Sequence, residues 1–216
     1  MKYHESEEWK SYLKLMEVRP ESFKDGILKI ITDDAAIDSY YEKTGKRLGV
    51  VYESEFHLML VDLVEDRVGK SFSYERLLPK VASGAVVIVP IINGKYVMVE
   101  QFRHALRKNM LAFPRGYGEE GLSSEENLKK ELKEELGCDN VTNIKYLGKV
   151  IADSGILGNS IDAYLCDISK AEEKKGYEGI VGLKFLDKDE LSKAVEDGEI
   201  EDGYTLSAIT LLNKGE

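Results

Sequence analysis

The chain has few of the residues that bind zinc. It contains two cysteines, Cys138 and Cys166, and three histidines, and these residues are scattered far apart along the sequence. Structural zinc sites need four Cys or His ligands at short, regular spacing. We therefore expect no structural zinc ion in this protein.

A long apolar run is also lacking. The longest apolar segment, Val81–Ile92, is interrupted by a serine, a glycine and a proline, and it is too short to span a bilayer. The first residues, Met1–Glu8, have no apolar core of the kind that signal peptides carry. We therefore expect no membrane association, and a reducing cytoplasm is the default location.

Positive charge is in deficit as well. The 216 residues include 30 Lys and Arg against 40 Asp and Glu, which gives a formal net charge of -10. Because affinity for nucleic acid comes chiefly from phosphates neutralised by Lys and Arg, binding of a long nucleic acid is disfavoured. A small anionic ligand is compatible with this charge if a metal ion or a local basic cluster reverses the field at one site.

What the chain does contain is an alternation of helical and extended patterns, which predicts a mixed α/β fold. We expect residues 1–79 to form an N-terminal α+β subdomain and residues 80–216 to form the main domain. The subdomain is predicted to contain a helix over 5–19, a strand at Ile27–Ile31, a helix between Asp33 and Gly45, and strands at Val50–Tyr52 and Phe56–Val64, with the chain turning over Asp62–Arg67.

The main domain begins with a predicted β-hairpin. Two apolar runs, Ala85–Pro90 and Tyr96–Phe102, flank the dipeptide Asn93-Gly94, which is a favoured two-residue hairpin turn. A loop rich in Arg and Gly follows. Beyond it we predict a helix over 124–136, strands at Ile144–Ala152, Ile161–Ile168 and Gly182–Leu186, and helices at Lys188–Glu196 and Tyr204–Leu212.

The predicted helix over 124–136 carries three neighbouring carboxylates. Ser123 and Glu126 form a capping box at its start, and a glycine-rich loop precedes it. At about 100° per residue, Glu131, Glu134 and Glu135 share one face, where like charges repel unless a cation neutralises them. Oxygen ligands suit Mg²⁺, with Mn²⁺ as an alternative, although an ordinary solvated acidic face has the same pattern.

The loop and the helix together resemble the signature of the Nudix family, G-x5-E-x7-R-E-U-x-E-E-x-G-U, in which U is a bulky apolar residue. The matching residues are Gly116, Glu131, Leu132, Glu134, Glu135 and Gly137, with Cys138 as the apolar end. Leu122 stands where the family has Glu, and Lys130 stands where it has Arg. In the family these two side chains brace the loop against the helix, so the double departure looks like one exchanged structural contact.

The resemblance covers most of the chain after about Ser71, and in this part the sequence is similar to the ADP-ribose pyrophosphatases of the family. The segments that carry it are Tyr74–Arg76, Gln101–Arg103, Phe113–Gly116 and Asp197–Leu206. It implies a Nudix α/β/α sandwich with a mixed sheet, and an N-terminal subdomain that in this branch often exchanges across a homodimer.

The resemblance also implies the site residues. Magnesium would be held by Glu131, Glu134, Glu135 and the backbone carbonyl of Arg115. The catalytic residues would be Glu134, Glu135 and Glu178, where Glu178 orients or deprotonates the attacking water unless it is one more surface acid. The substrate contacts would be Arg103, Glu75 and Arg76, and a guanidinium such as that of Arg103 pairs well with phosphate oxygens.

The implied activity is hydrolysis of a nucleoside diphosphate derivative, with ADP-ribose cleaved to AMP and ribose 5-phosphate. Another nucleotide sugar, a dinucleotide polyphosphate or NADH is an alternative substrate. A nucleotide sensor that has kept the fold and lost turnover is a further alternative, motivated by Leu122 and Lys130.

Overall fold

The computed structural model describes residues 2–174 and 176–215 and divides the chain into two compact units. The first unit comprises the residues through Lys80 together with Asp153–Asn159, and the second comprises Val81–Ala152 and Ser160–Glu216. Among the described residues, no helix has the length and apolar character needed to cross a membrane.

The first unit is an antiparallel sheet with two helices. Its elements are α1 (Glu7–Val18), β1 (Lys29–Ile30), α2 (Asp34–Thr44), β2 (Gly49–Glu53), β3 (His57–Glu65) and β4 (Ser71–Pro79). Strand β3 pairs with β4 along its whole length, and it also pairs with β2 and β1. Both predicted helices are confirmed, and α2 begins at the Asp33 cap and ends at Gly45 in the left-handed conformation.

The structure of this unit departs from the predictions at three points. Strand β1 is shorter than Ile27–Ile31, and β3 continues to Glu65, so that the chain turns after residue 65 rather than from Asp62. Strand β4 was not predicted. Its side chains are mostly half-buried and include the charged pair Glu75 and Arg76, so the sequence does not alternate cleanly between apolar and polar residues.

A buried ionic cluster joins β3 and β4 to α1. The carboxylate of Asp62, which is 3% exposed, accepts hydrogen bonds from the Tyr12 hydroxyl and from Arg76, with 2.5 Å between Arg76 Nε and Asp62 Oδ2. Arg76 also donates to the Ser22 carbonyl at 2.6 Å and lies over the ring of Phe23. The guanidinium is therefore the counter-ion of a carboxylate that water does not solvate.

We expect Arg76→Ala to lower the free energy of unfolding of the first unit by about 3 kcal/mol, because it leaves the Asp62 carboxylate buried and unpaired. Urea unfolding followed by the fluorescence of Trp9, the only tryptophan and fully buried in this unit, measures the change. Arg67→Ala, at an exposed position of the same unit, is the control. Equal stability of the two variants would contradict the prediction.

The second unit is a three-layer α/β/α sandwich. Its elements are β5 (Val86–Ile92), β6 (Lys95–Arg103), β7 (Lys108–Ala112), β8 (Arg115–Gly116), α3 (Ser124–Leu136), β9 (Val141–Val150), β10 (Ile161–Ile168), β11 (Ile180–Leu186), α4 (Lys188–Glu196) and α5 (Gly203–Leu212). The sheet has the order β11-β6-β5-β10-β9, with β7 on β6 and β8 on β5. It is mixed, because β10 pairs parallel to β5 while its pairing with β9 is antiparallel.

The side chains of β5 point alternately to the two faces of the sheet and so contribute to both cores of the sandwich. Val86 and Ile88 face a core that contains the leucines of α3, and Val87 and Val89 face a core that contains residues of α4 and α5. The predicted fold class, the hairpin and the helices are confirmed. Strands β7 and β8 lie in the segment that we predicted to be a loop, because glycine, proline and charged residues dominate that segment.

Candidate active site

Helix α3 has the ends and the orientation that the sequence predicts. Ser123 Oγ accepts a hydrogen bond from the Glu126 backbone N–H, and the Glu126 carboxylate accepts one from Ser123 N at 2.9 Å. The helix ends at Gly137, whose φ is 64°. The side chains that bury it against the sheet form one stripe, Leu128, Leu132 and Leu136, each with no exposed surface. This stripe fixes which way the acidic face points.

Two of the three predicted carboxylates lie at the edge of the buried stripe. Glu135 is 5% exposed and Glu131 is half-buried. Within the described part of the chain, neither carboxylate takes part in a hydrogen bond or an ion pair. Burial raises the pKa of Glu131 to about 7 and that of Glu135 to about 8, and the charge of Glu131 adds to the effect on Glu135. Burial therefore disfavours the charged forms of both side chains as long as no cation is present.

The backbone of the glycine loop, residues 116–122, lies against one member of this pair, Glu131. A Cβ atom at Gly116 would overlap the carboxylate of Glu131, and a Cβ at Gly118 would overlap the carbonyl of Ser83. Glycine is therefore required at both positions by close approach. The contact also brings Glu131 to strand β8, which contains Arg115, the residue whose carbonyl we predicted to be a metal ligand.

Asn127 is a site residue that the sequence analysis missed. Its amide nitrogen donates to the Gly84 carbonyl at 2.8 Å and to the Tyr117 carbonyl at 2.7 Å, and the side chain is fully buried. It ties the loop and the start of β5 to α3. A signal was present in the sequence, because Asn127 lies four residues before Glu131 and so shares its face of the helix.

Asp202 and Thr205 hold the other end of the loop and were also missed. Asp202 is the N-cap of α5, and its carboxylate accepts hydrogen bonds from Thr205 N at 2.9 Å and from Arg115 at 3.1 Å. The Thr205 hydroxyl accepts one from Phe113 N at 3.0 Å. The guanidinium of Arg115 lies over the ring of Tyr204. The strand that leads into the loop is thus bound to the N-terminus of α5.

Arg103 lies at the end of β6 and is partly buried. Its Nε has no hydrogen-bond partner among the described residues. Burial and the neighbouring charge of Arg115 lower the pKa of Arg103, while Asp202 and Glu135 oppose that shift. The charge of Arg103 therefore interacts with the carboxylates of Asp202 and Glu135. Its Nε is the polar atom that has no partner among the described residues.

Glu178 has a left-handed backbone, with φ 45° and ψ 30°, which is uncommon for a residue other than glycine. Its carbonyl accepts a hydrogen bond from Gln101 Nε2 at 2.7 Å. Its charge is one of the causes that raise the pKa values of Glu131 and Glu135. Of the predicted catalytic residues, Glu178 and Glu135 are thus close enough to interact, and Glu178 is exposed.

Two predicted substrate contacts lie in the first unit. Glu75 is exposed on β4, and Arg76 on the same strand is engaged with Asp62 and Ser22. Contact of either residue with substrate stays a prediction.

The carboxylates fit a divalent cation as a pair rather than as a closed cage. Within residues 2–174 and 176–215, no three Asp, Glu, His or Cys side chains are grouped so that they hold a metal ion by themselves. The Glu134 carboxylate accepts a hydrogen bond of 2.7 Å from Lys130 through Oε2, which leaves Oε1 as its remaining ligand atom. Mg²⁺ needs only one or two protein carboxylates, because it keeps several waters and takes substrate phosphate oxygens as well. The unpartnered Glu131 and Glu135 match that requirement.

Comparison with known proteins gives the class. The profile of the NUDIX domain matches residues 82–206. The ADP-ribose pyrophosphatase of Bacillus subtilis (strain 168) is 30% identical over 136 residues, which are 60% of this chain and 71% of that protein. The methanol dehydrogenase activator of Bacillus methanolicus is 31% identical over 133 residues, with the same two shares. The chain therefore belongs to the Nudix family, which confirms the resemblance, including that to the ADP-ribose pyrophosphatases.

A solved structure supports the fold independently. A crystal structure of an ADP compounds hydrolase superposes with a TM-score of 0.63 at 20% identity, over 76% of this chain and 89% of that chain.

The raised pKa of Glu135 predicts how stability depends on pH without metal. Its folded-state pKa, about 8, lies above the ordinary value of 4.5. Its ionisation therefore lowers the free energy of unfolding, by an amount that is zero below about pH 4.5 and grows as the pH rises to about 8. In chelator, Glu135→Gln should therefore melt at least ~4 °C above the wild type at pH 9 and at about the same temperature at pH 4.5. Circular dichroism melts measure this. A difference that does not change with pH would contradict it.

Proposed function

We propose that this Nudix protein is a Mg²⁺-dependent pyrophosphohydrolase that cleaves the diphosphate of a nucleoside diphosphate derivative, with ADP-ribose converted to AMP and ribose 5-phosphate. The observation that carries the proposal is a pair of carboxylates without hydrogen-bond partners among the described residues, the buried Glu135 and the half-buried Glu131, together with the partly buried guanidinium of Arg103, whose charge interacts with that of Glu135. Such an arrangement suits a cation and a phosphate together. The relative described as an ADP-ribose pyrophosphatase supports the choice of substrate.

Each residue has a part in the proposed reaction. Glu131 and Glu135, with Glu134 and the carbonyl of Arg115, would hold the ion, which when bound neutralises phosphate charge and lowers the pKa of a bound water. Arg103 would bind a phosphate oxygen. Glu178 would accept the proton as the water oxygen bonds to phosphorus and the bridging P–O bond breaks, which releases the two phosphate monoesters.

Other substrates and a role without turnover remain alternatives. A nucleotide sugar, a dinucleotide polyphosphate or NADH needs the same helix and a different pocket. The argument for a nucleotide sensor came from Leu122 and Lys130, and it is weakened by the ion pair that Lys130 forms with Glu119 at 2.8 Å. Mn²⁺ in place of Mg²⁺, a homodimer and a cytoplasmic location all stay predictions.

A substrate panel tests the proposal. We expect ADP-ribose to be cleaved faster than nucleotide sugars, dinucleotide polyphosphates and NADH with Mg²⁺ present, and all turnover to stop in chelator, because the carboxylates then lack their cation. Phosphate release after a coupled phosphatase, together with chromatography of the products, measures the rates. Binding of the nucleotides without any product would favour the sensor instead.

Glu135→Gln should lower kcat by about 100-fold or more and leave the melting temperature at pH 7 no lower than that of the wild type, because the amide keeps the shape but not the charge. Steady-state kinetics with ADP-ribose measures the change. The matched control is Glu125→Gln, which removes an exposed acid from the same helix. Near-normal turnover of Glu135→Gln would remove this helix from the mechanism.

A further inference from the structure

The acid that the Nudix signature places at position 122 is missing from this chain, but its partner position still carries a cation. Leu122 is half-buried, and its carbonyl would contact a Cβ at Gly84 at 3.1 Å. Lys130 on α3 points its ammonium group toward the loop. An acid elsewhere in the loop pairs with this ammonium group.

A tight turn brings a different acid to the same place. The Leu122 backbone N–H donates to the Glu119 carbonyl at 3.2 Å, and Gly121 between them has a φ of 83°. This is a β-turn in which Glu119 and Leu122 are the first and fourth residues, and the third residue has the positive φ that favours glycine. The ends of such a turn lie within about 7 Å of each other at their Cα atoms. An acid at position 119 therefore lies close to the place where an acid at position 122 would lie.

Lys130 is bonded to that acid and to a second one. Its Nζ lies 2.8 Å from Glu119 Oε1 and 2.7 Å from Glu134 Oε2. The hydrogen bond to Glu119, followed by the one to Glu134, raises the pKa of Lys130. One ammonium group thus connects the glycine loop with a carboxylate of α3 that belongs to the proposed metal site.

We propose that Glu119 is a positioning residue: through Lys130 it anchors the glycine loop to α3 and orients the carboxylate of Glu134. Glu119 thereby replaces the acid that is absent at position 122. The effect on the metal rests on the function proposed above, whereas the effect on the loop does not.

The backbone of the loop makes close contacts that leave no room for displacement. The ion pair between Glu119 and Lys130 helps to keep the loop in this position. The backbone of Gly116 touches the carboxylate of Glu131, and that of Gly118 touches the carbonyl of Ser83. Asn127 fixes the loop at Tyr117, but Glu119 lies beyond that tie. A loop released at Glu119 gains freedom next to Glu131 and leaves Lys130 with Glu134 alone.

The test moves the acid from one end of the turn to the other. The variants are Glu119→Gln, the double variant Glu119→Gln/Leu122→Glu, and its uncharged counterpart Glu119→Gln/Leu122→Gln. Glu120→Gln is the matched control, because it removes a neighbouring exposed acid of the same loop. The full chain is used throughout, with Mn²⁺ alone as the probe for metal binding and hydrogen–deuterium exchange as the probe for the loop.

We expect Glu119→Gln to speed amide exchange over residues 117–123 and to weaken Mn²⁺ binding about tenfold, the lower end of what loss of a contact to a metal-ligating carboxylate costs. The melting temperature should stay close to that of the wild type. Adding Leu122→Glu should restore both properties, whereas Leu122→Gln should restore neither. Restoration by the acid alone is an outcome that a general change in stability would not produce.

Three results would overturn the proposal. The first is Glu119→Gln behaving as the wild type in both measurements. The second is Glu120→Gln having the same effect as Glu119→Gln, because net charge would then explain the change. The third is failure of Leu122→Glu to restore slow exchange in a folded protein. If the wild type itself binds no Mn²⁺, the proposed function fails while the exchange measurements still decide the role of Glu119.

Discussion

Two carboxylates on one helix, one buried and one half-buried, with no hydrogen-bond partner among the described residues, are the constraint on which the second unit depends. The leucine stripe of α3 sets the rotation of the helix, and Glu131 and Glu135 lie at its edge, where burial raises their pKa values. Burying a carboxylate without a counter-charge is costly. The cation site of the proposed function rests on this pair.

The rest of the site serves to hold one loop against that helix. Asn127 ties the loop to α3 at Tyr117, Asp202 ties the strand before it to α5 through Arg115, and Glu119 ties its turn to Lys130. These contacts come from two elements of the second unit, α3 and the N-terminus of α5. A loop with this many glycines has a large conformational entropy to lose, so separate ties are needed to keep its backbone against the carboxylates.

The substrate is decided by residues outside this framework. Two relatives of nearly equal similarity, at 31% and 30% identity, are described as a methanol dehydrogenase activator and an ADP-ribose pyrophosphatase. In the proposed reaction the acidic helix supplies the chemistry, whereas the groups that contact the rest of the ligand set the choice of substrate. In the first unit, the Arg76 guanidinium neutralises the buried Asp62 carboxylate, which accounts for a cation at this position without a substrate.

The sequence alone determined α3 with both of its ends, the hairpin around Asn93-Gly94 and the α/β class, because caps, turn dipeptides and hydrophobic periods are local signals. It also placed Glu131 and Glu135 on one face of that helix, since helical spacing is fixed. Only the tertiary structure decided that Asn127 and Asp202 support the loop, and that Glu119 of the loop pairs with Lys130 of α3. Those contacts join residues that the fold brings together from different elements, and no local pattern encodes which partner a buried polar group will find.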